Sequence, residues 1–156
     1  MSNKKIKNAT PLEYNGIKFK SKLEVMVYKT LFEHGFEVFY EPQTFSLWYG
    51  FKPKIPFYAP NKSNILINND KKIIDIKYTP DFIVIYKDIN IFIEAKGMKN
   101  DTYYLKNKLF RGYLEEQYTL GGEFSMYFEI HTKKQLLQAI QIIKDYDSSR
   151  NNETNV

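Results

Sequence analysis

The sequence predicts an α/β fold in which a mixed sheet is flanked by helices, and three observations carry that reading. Apolar residues recur at helical spacing between Ser21 and Gly35, after which the period shortens to that of strands. The run Phe82-Ile-Val-Ile-Tyr86 is almost unbroken in apolar character, as a strand covered on both faces would be. A strand–helix–strand succession over 89–95, 101–117 and 124–131 calls for a parallel, right-handed crossover, because parallel neighbours need a long connection.

The elements follow in order. The first helix begins at Ser21, with Leu23, Met26, Val27 and Leu31 on one stripe and Gly35 where a C-terminal cap belongs. Residues 36–41 and 44–49 read as strands separated by Pro42. Residues 50–63 hold Pro53, Pro56, Pro60 and several lysines, and read as loop or edge structure. The apolar runs 65–67 and 73–76 signal a hairpin, and 78–86 with 89–95 a stronger one around Lys87-Asp88. A helix over 101–117 is expected to turn Leu105, Leu109 and Tyr113 inward; Gly121-Gly122 ends it. A strand over 124–131 and a closing helix over 132–146 complete the order. Residues 1–13 read as a flexible N-terminus, 14–147 as a single domain and 148–156 as a disordered tail.

Composition narrows the function. A chain of 156 residues suits one domain. Its 43% hydrophobic and 26% charged content marks a globular protein rather than a disordered one. The formal charge is +5, almost all of it lysine, since Arg111 and Arg150 are the only arginines. Such a balance favours polyanionic partners without deciding for them. The absence of cysteine excludes disulfides, thiolate metal sites and cysteine nucleophiles, and two histidines, His34 and His131, leave little for a histidine zinc site. No run approaches the length of a membrane span and the N-terminus lacks an apolar core, so an intracellular, cytoplasmic protein without membrane contact is expected.

Three charged residues look out of place in this pattern. Asp81 opens an apolar strand directly after Pro80, while Glu94 and Lys96 close its partner. A short turn sets Asp81 opposite or diagonal to Glu94, and residues two apart share a face, so Lys96 joins them. Gly97 then leaves room for a close approach by backbone or ligand. Two facing carboxylates call for a cation, and hard oxygen donors suit Mg²⁺ or Mn²⁺ in phosphodiester hydrolysis. A cross-strand salt bridge at a sheet end fits the same spacing equally well. Asp75-Ile-Lys77 has the same carboxylate-x-lysine form, but its upstream acids, Asp70 and Glu41, lie in a turn and far off in the chain. Glu24 reads first as the acidic half of a capping box with Ser21, reaching back to the Ser21 amide, and second as a further carboxylate aimed at the hairpin.

Together Ser21-Lys-Leu-Glu24, Tyr78-Thr-Pro-Asp81-Phe and Ile93-Glu-Ala-Lys-Gly97 resemble the motifs of the PD-(D/E)XK nuclease superfamily. The likeness is nearest to the phage endonuclease I type of Holliday-junction resolvase and related small phage endonucleases, and it covers residues 17–118. It implies a restriction-endonuclease-like sheet with an αβββαβ core and a Mg²⁺- or Mn²⁺-dependent DNA endonuclease selective for branched DNA. It implies that Asp81, Glu94, the carbonyl of Ala95 and Glu24 form the metal site, that Lys96 is the catalytic lysine, and that no small-molecule cofactor is used. Glu41 matches an acidic residue of the resolvases loosely and reads better as surface charge. A phage or mobile-element origin accords with the resemblance.

The segment 44–77 is longer than in the compact resolvases, which dimerise through strands there, so a homodimer stays open. The basic C-terminal tail of some relatives is absent. For DNA contact, Lys20 and Lys22 flank the first helix start, and Lys99, Lys106, Lys108 and Arg111 follow the active strand. They read either as a solvated face or as phosphate contacts. Tyr103, Tyr104 and Trp48 are read as core residues or as base-stacking surfaces. Two further functions compete: a non-catalytic nucleic-acid-binding module on the same fold, and a structural phage or partner-binding protein docking through Phe51, Phe57 and Tyr58.

Overall fold

A computed structural model describes residues 12–153. The elements run β1 (Leu12–Tyr14), β2 (Ile17–Phe19), α1 (Lys22–Glu33), β3 (Glu37–Tyr40), β4 (Phe45–Trp48), β5 (Tyr58–Pro60), β6 (Leu66–Asn68), β7 (Ile76–Tyr78), β8 (Phe82–Tyr86), β9 (Ile89–Ala95), α2 (Asp101–Thr119), β10 (Ser125–Ile130) and α3 (Lys133–Glu153). The central sheet has the order β10-β9-β8-β3; β9 runs parallel to β10 and antiparallel to β8, which is antiparallel to β3. The fold is thus α/β with a mixed sheet, and its core order is α1, β3, β8, β9, α2, β10.

Alternation along the strands divides two cores. Phe82 and Val84 of β8 and Ile89, Ile91 and Ile93 of β9 face α1 and α3, where Val27, Leu31, Leu136 and Ile143 are buried against them. The other face of β9 turns Phe92 toward Phe110 of α2, with Phe45 and Tyr78 of the β4–β7 pair closing over it. Both central strands are therefore covered on both faces, which is why they read as nearly continuous apolar runs.

Local chemistry sets the helix ends. The Ser21 hydroxyl accepts from the Glu24 amide at 3.2 Å. At the other end Gly35 adopts φ 81°, and the amides of Gly35 and Phe36 donate to the Phe32 and Leu31 carbonyls, a Schellman closure. Asn100 caps α2 by accepting from the Tyr103 amide at 2.8 Å, and Gly121 with φ 89° ends it in the same way as Gly35.

Several sequence expectations need correction. An N-terminal hairpin, β1–β2, was missed; its Asn15-Gly16 turn has both residues at positive φ, the type I′ signature. Residues 1–11 lie outside the described residues, but Leu12 and Glu13, expected to be flexible, open this hairpin. The predicted hairpin of 65–67 with 73–76 does not form: β6 pairs with β5, and β7 pairs with β4. The Asn61 side chain accepts the Ser63 and Ile65 amides and turns the chain there, while Asp75 accepts the Gly50 amide at 2.9 Å and draws β7 to β4. Gly50 is required at that clasp, because a Cβ would sit 2.0 Å from the Ile73 carbonyl oxygen.

On α2 the buried residues are Tyr103 and Phe110, and Tyr113 packs inward against the same core as expected, whereas Leu105 is 52% exposed and Leu109 only half-buried. Finally, α3 continues to Glu153, so residues 148–153 are helical rather than a disordered tail. Its last turns are tied to the β8–β9 turn, where Lys87 bonds the buried Asp147 and Arg150 bonds Asp88. Among the described residues no helix is long and apolar enough to cross a membrane.

Phe110 is fully buried and stacks or abuts Phe45, Tyr78, Phe92, Tyr113 and Tyr127. Phe110→Ala is expected to lower the urea-unfolding free energy by about 3–5 kcal/mol, as large aromatic truncations in closed cores do. A loss below about 1 kcal/mol would show that α2 is not docked as described.

Candidate active site

The register of β8 and β9 places Phe82 opposite Ile93, which carries Asp81 and Glu94 to the same end of the sheet on the α2 face. There a cleft of about 720 Å³ opens, and Glu24, Glu41, Asp81 and Glu94 line it together with Lys20, Lys77, Lys96 and Lys106. Ala95, Tyr78, Thr79, Asn100 and Tyr103 complete most of its wall. The residues singled out as catalytic, Glu24, Asp81, Glu94 and Lys96, thus meet in one place although they come from α1, the link before β8, β9 and the residue just after it.

Each acid is held differently. The Asp81 Oδ2 accepts the amide of Ala95 at 2.7 Å, a bond that stitches the start of β8 to the end of β9. Glu94, 5% exposed, accepts from the Tyr78 hydroxyl on Oε2 at 2.6 Å and from Lys96 Nζ on Oε1 at 3.3 Å. Glu24, 6% exposed, accepts from the Lys20 amide and the Tyr40 hydroxyl, both at 2.7 Å on Oε2. The expected capping box is therefore half formed: Ser21 caps Glu24, but the Glu24 carboxylate reaches Lys20 rather than the Ser21 amide.

A chain of hydroxyls stands behind Glu94. Tyr78 gives its proton to Glu94, so in the 2.9 Å contact between Tyr78 and Tyr127 the proton belongs to Tyr127. Asn107 donates in turn to Tyr127 and to Tyr103, and Tyr103 donates to Glu129. Burial, followed by the charge of Glu94, raises the Tyr78 pKa, so this phenol remains a donor throughout the working pH range. Sequence reading missed Tyr78, Asn107 and Tyr127; period-two spacing placed Tyr78 in a strand but gave no sign of its partner across the fold. The same holds for Tyr40, a β3 residue whose hydroxyl reaches Glu24.

Electrostatics single out Asp81. Its carboxyl is pushed up from 3.8 to about 8, first by burial and then by the charge of Glu94, with Glu24 adding; the Ala95 amide and Lys96 work the other way. Lys20 is held above its ordinary value: burial opposes its charge, and the bond to Glu41 with the charges of Glu41, Glu24 and Asp81 outweighs that. Lys96 also lies 4.5 Å over the ring of Tyr103. Glu129 is lowered to about 2; burial acts to raise it, and bonds from Lys99, Tyr103 and His131 prevail.

The donor set fits a hard divalent cation in one respect and limits it in another. Asp81 and Glu94 are oxygen donors whose mutual repulsion a cation would relieve. Among the described residues, however, no three His, Asp or Glu side chains converge closely enough to hold a metal by themselves. Glu24 lines the cleft but does not join Asp81 and Glu94 in one ligand set. Ala95 is buried at the cleft wall and is seen to engage Asp81 through its amide. Among the described residues no backbone or side chain approaches Gly97 closely, since a Cβ there would meet open space.

The cationic residues separate into two groups. Lys20 and Lys106 line the cleft, and so does Lys77, whose motif partner Asp75 is occupied at the β4–β7 clasp. Glu41, read as surface charge, belongs to the cleft and pairs with Lys20. Lys99 is bound to Glu129 at 2.6 Å. Lys22 borders a different groove beside α1, Arg111 lies in another beside α2, and Lys108 is exposed away from the cleft lining. Those three are not brought to the candidate site.

In metal-free buffer the folded state keeps on Asp81 a proton that the unfolded chain gives up near pH 4. The stability it contributes is full below that pH and is lost as pH rises to about 8. Urea unfolding at about pH 5 and about pH 9 is expected to show the wild type losing more stability across that interval than Asp81→Asn. Equal losses in the two proteins would refute the retained proton.

A family model described as "Protein of unknown function (DUF1064)" matches residues 4–127, a stretch that contains Glu24, Asp81, Glu94 and Lys96 and ends within β10. No curated protein and no solved structure matches the chain.

Proposed function

We propose that this chain, which belongs to the DUF1064 family, is a metal-dependent DNA endonuclease that hydrolyses phosphodiester bonds, with a preference for branched DNA. The observation that carries the reading is the convergence of Glu24, Asp81, Glu94 and Lys96 on one cleft, with Asp81 pressed against the charge of Glu94. A salt bridge serving stability alone would not set the buried Glu94 against a half-buried Asp81, since two facing acids leave each other poorly compensated. Motif order and spacing, which resemble those of PD-(D/E)XK nucleases, support the same assignment.

In this reading Asp81 and Glu94, with the Ala95 carbonyl, would hold Mg²⁺ or Mn²⁺, whose remaining positions suit water and phosphate oxygens. When bound, the metal supplies Lewis acidity and a water of lowered pKa. The protein's own groups do the rest. The Ala95 amide fixes Asp81, and the Tyr78 hydroxyl with the Tyr127 and Asn107 donors behind it keeps Glu94 aimed. The Lys96 ammonium, steadied by Glu94 and the Tyr103 ring, donates to the attacking water or to the charge gathering on the phosphate oxygens. Glu24 fixes the backbone of Lys20, so that Lys20, Lys77 and Lys106 meet flanking phosphates without reading sequence.

One observation favours a second reading, a nucleic-acid-binding module without chemistry: the lack, among the described residues, of a three-residue ligand set. Cleavage of labelled four-way junction, linear duplex and single-stranded DNA with Mg²⁺ or Mn²⁺ separates the two. Wild-type protein is expected to cut the junction best, to be silenced by EDTA, and to lose at least about 100-fold in rate on Asp81→Ala or Lys96→Ala. Metal is expected to raise the melting temperature of the wild type but not of Asp81→Ala. Negligible cutting by all three proteins with no metal-induced shift would leave the binding module.

A further inference from the structure

Residues 50–77 form an arm that leaves the body at the Gly50–Asp75 clasp and carries the isolated β5–β6 hairpin. Two properties of this arm are unexplained by folding. Six lysines, Lys52, Lys54, Lys62, Lys71, Lys72 and Lys77, face two aspartates, Asp70 and Asp75, giving the segment a net charge of +4 out of the chain's +5. Large apolar side chains nevertheless stand in solvent along it, Ile55 at 81%, Phe57 at 64% and Tyr58 at 59% exposed, with Tyr49 and Phe51 exposed at its root.

A hairpin arm whose flanking segments carry ammonium groups and whose β5 strand and approach carry the exposed rings Phe57 and Tyr58 has the chemistry that binds unpaired nucleic acid: charge follows the backbone and rings take the faces of bases. The alternative occupant, the arm of a second copy, would bring +4 against +4. Strand continuity gives a direction as well. The far stem of the arm is β7, and Lys77, Tyr78 and Thr79 already line the catalytic cleft. A single strand laid along the arm is therefore led to Asp81 and Glu94.

We propose that the arm is the binding element for single-stranded nucleic acid, which delivers the unpaired strand of a branched substrate to the cleft. The assignment rests on the nuclease reading for its purpose, but binding is measured apart from cleavage. Fluorescence anisotropy with a labelled thirty-residue oligo(dT) and a duplex of equal length, in EDTA across a salt series, reads it. Wild-type protein is expected to bind the single strand more tightly. The quadruple variant Lys54→Gln, Lys62→Gln, Lys71→Gln, Lys72→Gln is expected to weaken binding and to flatten the log–log salt slope by about 3, near 0.7 per phosphate contact removed. Phe57→Ala with Tyr58→Ala is expected to weaken binding at least about ten-fold with the slope unchanged.

These side chains are exposed, so circular dichroism melting should show each variant folded as the wild type. Unchanged affinity in both variants overturns the arm assignment, and it leaves the nuclease reading standing if Mg²⁺-dependent cleavage persists. Absence of single-strand binding by the wild type overturns it too, with cleavage again deciding the nuclease separately. Sedimentation that shows a wild-type dimer dissociated by the Phe57 and Tyr58 changes, at constant oligonucleotide affinity, assigns the arm to self-association instead.

Discussion

Two carboxylates facing each other at the end of a hydrophobic hairpin are the constraint around which this molecule is arranged. Asp81 and Glu94 arrive there because β8 and β9 lock Phe82 against Ile93 through a turn of only two residues. A slip of one position would bury charge in the α1–α3 core, so the register is held by the same apolar residues that build that core. The protein then compensates from behind. The Ala95 amide serves Asp81, Tyr78 serves Glu94, and the Tyr127 and Asn107 groups that orient Tyr78 come from β10 and α2. The β4–β7 pair and α2 can therefore be seen as the scaffold of one hydroxyl chain as well as a second core.

How much of this was legible in the sequence depends on how far each interaction reaches. The α1 helix, with Ser21 before it and Gly35 after it, was readable because capping is settled within one turn. Asp81 and Glu94 were readable because a two-residue turn leaves the register little freedom. The pairings β4–β7 and β5–β6 were not, because partner choice rests on the Asp75–Gly50 bond and the Asn61 turn, neither of which alters apolar periodicity. The α2 face was misread for a different reason. Its buried stripe is aromatic, Tyr103 and Phe110, while Leu105, the more hydrophobic by type, faces water. The C-terminal segment was misjudged because its polar composition concealed two tethers, Asp147 to Lys87 and Arg150 to Asp88.

Within the site, the residues that would touch a substrate were visible and those that hold them were not. Carboxylates and an ammonium beside an apolar strand announce themselves by contrast with their neighbours. Tyr40, Tyr78 and Tyr127 do not, since tyrosine is at home in a strand and its hydroxyl finds a partner only in three dimensions. Glu41 shows the same limit from the other side. It looked like surface charge and stands in the cleft, because its amide donates to the Asp81 carbonyl at 2.8 Å and its carboxylate meets Lys20.

The placement of the arm has a further consequence for how the chain reaches its native state. β3 and β8 are neighbours in the sheet, and everything from Glu41 to Asp81, arm included, is the loop that must close for them to pair. The entropy of closing a loop grows only with the logarithm of its length, so doubling such a loop adds about 0.6 kcal/mol. Because β5 and β6 pair with each other and belong to none of the other sheets, the arm can be lengthened or shortened between Gly50 and Ile73 at little thermodynamic expense. The reach of the arm and the stability of the acidic cleft are thereby separate variables in one continuous chain.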